Sequence, residues 1–251
     1  MIFPVEVKLN IDASGADALG ALLQTSLPPT KRQIWFAEGR AGVEAGTLPL
    51  FTSHVIVRLR SGEETDDLTV KLRPCIEQQL IGRWDASFET KSLEYRIEGD
   101  WSGERRTLAA SAVNESAPGS LLEMVGAFAD PADAMTSKQR QFLNQCAPPD
   151  VEIDRLVALG PIDSTKWADV VISGLVVNVE RWLTQEFDFI ELSLRVKPND
   201  EETLFEFESR VTAKLRALEN AARDSGLPID THNDTKTQRV LATLARIQVH
   251  N

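Results

Sequence analysis

Cysteine is almost missing from this 251-residue chain, which has only Cys75 and Cys146. Two thiols so far apart build neither a disulfide framework nor a thiolate metal site. Histidine is as sparse: His54, His232 and His250 are scattered and form no HxxxH pair. No run of 18 apolar residues exists, which excludes a helical membrane span. The opening MIFPVEVKL has no basic region followed by a long apolar stretch, so no signal peptide is expected, and a cytoplasmic location follows as the default. No GxxxxGK[ST] and no GxSxG occurs, and ALGALL, residues 18–23, lacks the strand and spacing of a dinucleotide fingerprint. Asp163, Ser164 and His54 have no spacing that supports a nucleophilic triad. Positive charge is in the minority, with 27 basic against 38 acidic residues and a net charge of −11. A general preference for nucleic acid or anionic membrane is therefore excluded, whereas a local basic site is not.

The remaining composition is that of a globular protein, 42% hydrophobic and 26% charged. Such a length fits one large or two small domains. Residues 3–11 alternate as a strand, and 14–25 predict a short helix that Ser14 can cap and Pro28-Pro29 ends. KRQIWFAEGR, HVIVRLRSG, DLTVKLRP, ASFETKSLEYRIEGDW and ERRTLAASAVN then read as short strands bounded by Gly, Pro or Asp. Residues 118–147 predict two helices separated by Asp130-Pro131. From 151 to 196, VEIDRLVALGP, DSTKWADVVI, GLVVNVERWLT and DFIELSLRV return to strand patterns. The tail is helical: Phe205, Val211, Leu215 and Leu218 share a stripe closed by Gly226, and Val240, Leu241, Leu244 and Ile247 mark a last helix. Lys214 and Arg216 late in the first of these suit its dipole. The order strands, helices, strands, helices predicts an α+β fold with a mostly antiparallel sheet. We expect one domain over 1–251, with 198–251 as its helical flank.

Strand residues i and i+2 share a face. Glu6 and Lys8 do so, as do Arg58 and Arg60, Lys71 and Arg73, Glu94, Arg96 and Glu98, and Glu191, Ser193 and Arg195. Each strand carries apolar residues on its other face. A solvated sheet face accounts for any one of them. The strongly basic VRLR and VKLR are less ordinary in an acidic protein. If the sheet closes into a barrel, these positions line its lumen, and six or more cations facing each other need a polyanion to offset their repulsion. Clustered cations with a few carboxylates to hold a divalent ion suit phosphoryl groups. Lys31 and Arg32 before the apolar IWF read as a solvated loop, with a loop-borne phosphate contact as the lesser alternative. Glu104-Arg105-Arg106 read as a hairpin turn, and Trp35, Trp84, Trp101, Trp167 and Trp182 as packing residues, with adenine stacking by one of them as the lesser alternative.

These strands resemble the CYTH domain, the triphosphate tunnel metalloenzyme family. Its first motif, ExExK, is matched at Glu6 and Lys8; LRxR at Arg58-Leu59-Arg60; T-x-K at Thr69-Val70-Lys71; and the late F-x-E-x-E at Phe189-Ile190-Glu191. The order holds over about residues 3–197. Pro4 stands at the first motif glutamate and Ser193 at the last. Pro offers no side-chain ligand, and Ser is a poor divalent-metal ligand. The resemblance implies a closed antiparallel barrel of about eight strands with flanking helices. It implies Mg2+ or Mn2+ on Glu6 and Glu191, with Glu98 or Glu180 in reserve, and catalysis by Glu6, Lys8 and Glu191. Phosphate binding is implied at Lys8, Arg58, Arg60 and Lys71, and, from alternation or approximate position, at Arg73, Arg96, Lys166 and Arg181. The implied function is a metal-dependent phosphohydrolase of inorganic triphosphate or a small organic triphosphate. The alternatives are a degenerate polyphosphate- or nucleotide-binding protein and a class IV-type adenylate cyclase. The expected partner is a small triphosphate, with no nucleic-acid polymer and no membrane. The apolar stripe of the tail helix reads first as packing on the chain's own barrel, with a homodimer contact as the alternative.

Overall fold

The computed structural model describes residues 1–24, 27–232 and 235–250, with no side chains described for 247–250. The strands are β1 (Val5–Ile11), β2 (Thr30–Gly39), β3 (Val55–Gly62), β4 (Asp66–Cys75), β5 (Phe88–Thr90), β6 (Leu93–Ser102), β7 (Arg105–Ser116), β8 (Leu156–Ile172), β9 (Leu175–Leu183) and β10 (Asp188–Val196). The helices are α1 (Ala16–Leu23), α2 (Arg40–Glu44), α3 (Pro49–Thr52), α4 (Ser120–Gly126), α5 (Ser137–Cys146), α6 (Leu204–Asp224) and α7 (Lys236–His250). The hydrogen-bonded strand order β1-β10-β9-β8-β2-β3-β4-β7-β6 returns to β1 through a parallel β1–β6 pairing. The fold is therefore α+β, with a closed, mostly antiparallel nine-stranded barrel and flanking helices, and β5 hangs on β6. No helix among the described residues is long and apolar enough to cross a membrane.

The chain forms two compact units, the first of Met1–Lys31, Glu98–Thr107 and Ser164–Asn233, the second of Arg32–Ile97, Leu108–Asp163 and Asp234–Asn251. The expected C-terminal flank divides between them, α6 going to the first unit and α7 to the second.

In the first unit the alternation of β1 is realised directly: Val5, Val7, Leu9 and Ile11 are buried while Glu6, Lys8 and Asn10 are not. The buried row joins Ile190, Leu192, Val177 and Val179 against α6, which contributes Phe207, Val211, Leu215 and Leu218. Thr203 and Glu206 form a capping box at the start of that helix, their side chains exchanging bonds with each other's backbone N–H. Gly226, at φ +71°, ends it as expected, and the Leu227 N–H reaches back to the Ala222 carbonyl at 2.9 Å. The stripe differs from the sequence reading at one end. Phe207 is 2% exposed and Phe205 79% exposed. The spacing from Val211 explains it: one step of four reaches 207, whereas 205 lies off the buried face. The first helix also starts later than expected. Gly15 stands at its N-cap with no side-chain cap bond, and Asp12 instead caps the 3-10 turn Ala13–Gly15 before it, accepting from Ser14 N–H at 2.9 Å. The Ser14 hydroxyl and then its N–H hold the Asp12 carboxyl below the usual range. Residue 25, where that helix was expected to end, lies outside the described residues, as does the Ile247 side chain.

In the second unit, Val55, Val57 and Leu59 of β3 and Leu68, Val70 and Leu72 of β4 form a buried row. Helix α5 fastens onto it through Gln139, fully buried, whose side-chain N–H groups donate to the carbonyls of Leu68 at 2.8 Å and Ala112 at 3.0 Å. Helix α4 docks through Asp66, which accepts from the N–H groups of Gly119 and Leu121 at 3.1 and 2.7 Å. Trp84, Tyr95 and Phe142 form a ring cluster, and the Tyr95 hydroxyl donates to the Trp84 carbonyl. Trp35 and Trp182 are also buried, in line with the packing role expected of the tryptophans.

Two expected strands, 151–161 and 163–172, are one: β8 runs unbroken from Leu156 through Gly160-Pro161 to Ile172. Residues 151–155 are not strand, and Arg155 takes φ 56°. Gly160 lies so close to β2 that a Cβ there would sit 2.7 Å from Trp35 Cδ1 and 2.8 Å from the Ile34 carbonyl. A glycine that reads as a strand end thus marks a close backbone approach.

Candidate functional site

In the second unit the basic residues gather on the strand face opposite the helix-covered row. The register sets Arg58 across from Thr69 and Arg60 across from Asp67. Lys71 lies across from Ile56 and Ser111. Residues directly opposite share a face, so Arg58, Arg60, Thr69 and Lys71 point the same way. Arg32 on β2 joins them: its Nη1 donates to Asp67 Oδ2 at 3.0 Å, while Arg60 Nε lies 2.9 and 2.8 Å from the two Asp67 oxygens. Thr69 Oγ1 donates to Asp67 Oδ1 at 3.2 Å. Arg32, read as a loop residue, is a strand residue held in this cluster. Arg73 continues the alternation of β4 and donates to Thr237 Oγ1 on α7 at 2.9 Å. Arg96 pairs with Glu94 on its own strand.

The first unit holds a mixed face of opposite emphasis. Lys8 Nζ lies 2.9 Å from Glu6 Oε2 and 3.0 Å from Asp100 Oδ2. The parallel β1–β6 pairing sets Glu6 beside Asp100, whose side chain is only 3% exposed. Glu98 pairs with Arg195 at 3.4 Å, and the register places Arg195 across from Glu6. Glu191 lies across from Asn10 on one side and from Glu180 on the other, and Glu180 accepts from the Ser164 hydroxyl at 3.0 Å. Ser193 lies across from Lys8.

Arg181 and Lys166 stand apart from these groups. Arg181 is across from Ile190, on the helix-covered face of β9, and is bound to Asp188 at 2.8 and 2.5 Å, which raises its already high pKa. Lys166 is exposed on β8.

Asp67 and Asp100 are the residues that sequence reasoning passed over. Both signals were present: Asp67, Thr69 and Lys71 alternate in DDLTVKLR, and Asp100 is the next step after Glu94, Arg96 and Glu98. A lone carboxylate in a basic series reads as solvent-facing until the register supplies its partners.

The donors fit a protein-built divalent-cation site poorly. Among the described residues no three His, Cys, Asp or Glu side chains converge as a ligand group. Glu6 already meets an ammonium, and Pro4 adds no oxygen beside it. The arrangement offers charge-assisted donors for an anion in the second unit, and a lysine bracketed by carboxylates in the first.

The closed, helix-flanked barrel is shared with solved structures at low sequence identity. A Hippeastrum protein, described as a candidate adenylyl cyclase that reveals a dominant triphosphatase activity, superposes with a TM-score of 0.59 at 14% identity, covering 96% of each chain. A candidate adenylate cyclase from Bacillus halodurans gives 0.56 at 10% identity, covering 94% of this chain and 96% of that one. No family model and no curated protein matches the chain. At such identity the likeness concerns the fold.

Proposed function

We propose that this is a CYTH-type protein that binds an inorganic triphosphate or a small organic triphosphate through the basic strand face of Arg58, Arg60 and Lys71. The observation that carries the reading is the ladder register, which brings these side chains, with Thr69, to one face of β3 and β4. Arginine presents a planar fork to phosphate oxygens and lysine a compact charge, so the set suits an anion with several oxygens in series. The motif order and the two neighbours' folds support the same family.

Calorimetry with tripolyphosphate in EDTA tests it. Binding is expected, with Arg58→Ala and Lys71→Ala each weakening it tenfold or more. Unchanged affinity in both variants would reduce the face to a solvated sheet surface and overturn the reading.

A second reading is hydrolysis of the bound triphosphate, favoured by the activity for which the Hippeastrum neighbour is named. Mg2+ or Mn2+ would then polarise the phosphate chain. Such ions often use one or two carboxylates and complete their shell with phosphate oxygens and water. Glu6 and Glu191 are the residues to which the family pattern assigns that role. The poor fit of the donor set places this second. Phosphate release from tripolyphosphate with Mg2+ or Mn2+ across pH 7–10 decides between turnover and binding alone.

A further inference from the structure

We propose that Asp67 is the positioning residue of the anion-binding face, clamping Arg32 and Arg60 side by side so that their remaining donors meet phosphate oxygens together. The inference rests on the function just proposed and deepens it.

The Asp67 carboxylate is 4% exposed and accepts from three donors: Arg32 Nη1, Arg60 Nε and Thr69 Oγ1. The two arginine side chains retain 30% and 23% exposure. A guanidinium has five N–H donors, and Asp67 takes Nε of one arginine and one Nη of the other. The terminal edge of Arg60 and the second Nη of Arg32 are left for a ligand. Long cationic side chains lose rotamer freedom when they bind, and a carboxylate that fixes them beforehand removes part of that loss. It also lets two guanidiniums stand close without a ligand, where like charge would part them.

The sign of one substitution separates this role from simple charge. Asp67→Asn removes a negative charge from a cationic face, so electrostatics alone predicts tighter tripolyphosphate binding. Positioning predicts weaker binding, fivefold or more. Asp67→Glu, which keeps the charge on a longer arm, is expected to recover part of the loss. Orthophosphate, too short to use both arginines, is expected to lose less than tripolyphosphate.

Calorimetry on the full chain, with thermal midpoints as the check on folding, provides the measurement. Asp67→Asn binding tripolyphosphate as tightly as the parent chain, or more tightly, would overturn the proposal. If Asp67→Asn does not fold, Asp67→Glu takes its place: with the charge kept and its position moved, weaker tripolyphosphate binding than in the parent chain supports the clamp, and unchanged affinity overturns it. Failure of the underlying reading looks different. There the parent chain does not bind tripolyphosphate, or Arg58→Ala and Lys71→Ala bind as it does, and the clamp falls with it.

Discussion

Lys8 and Asp100 stand 92 positions apart in the chain and 3.0 Å apart in space, the ammonium meeting a nearly buried carboxylate. The parallel β1–β6 pairing that closes the barrel puts them together. Removing Asp100 leaves the largely buried Lys8 ammonium with only the more exposed Glu6 beside it, so Asp100→Ala is expected to cost about 2 kcal/mol. Glu6, whose side chain is 32% exposed, contributes less, and Glu6→Ala is expected to cost about 1 kcal/mol or below. Urea unfolding of the two variants checks the order. Equal losses would mean that Asp100 is no special anchor.

Glu38 predicts a pH dependence of stability. It is 1% exposed, accepts from the Leu50 and Phe51 N–H groups at 3.0 and 2.8 Å, and burial pushes its carboxyl up from 4.5 to about 7. The folded state therefore holds this proton where the unfolded state releases it. The contribution is fully present below about pH 4.5 and is lost as pH rises to about 7, by about 2–4 kcal/mol. Glu38→Gln is expected to flatten that part of the curve, measured as thermal midpoint against pH. An unchanged slope would assign the dependence to other groups.

Phe205 and Phe207 separate by burial what composition cannot. Phe207→Ala is expected to cost about 3–4 kcal/mol, because it leaves a cavity beneath α6. Phe205→Ala, at a position 79% exposed, is expected to shift stability by about 0.5 kcal/mol or less. Comparable losses would contradict the helix frame.

Gly160→Ala is expected to destabilise the chain by about 2 kcal/mol or more, because its new methyl meets Trp35 and the Ile34 carbonyl at contact distances below 3 Å, at a φ of 150°. Gly46, at φ +74° with open space around it, supplies the control that has backbone strain but no clash. A Gly160→Ala protein melting with the parent chain would show that β2 and β8 can part there.

Much of the fold was legible because alternation is a local signal. β1, β3, β4 and β10 carry their faces in their own residues, and the basic pair Arg58 and Arg60 falls on one face with Thr69 and Lys71. What was missed depends on partners. The face of Arg181 follows from its pairing with Ile190, and Asp67 acquires meaning only when Arg32 and Arg60 arrive from neighbouring strands. Boundaries failed where a proline or glycine serves a tertiary purpose: Gly160-Pro161 looks like punctuation and lies inside a strand. The start of the first helix was misplaced because Ser14, a good cap residue, is taken up in the 3-10 turn that Asp12 caps.

Each unit is drawn from three separate stretches of chain, and β2, β6, β7 and β8 pass through both. A single backbone cut cannot release either unit as one intact fragment. Neither can be expressed alone from one contiguous stretch of gene, so the two halves of this architecture are inherited, translated and degraded as one.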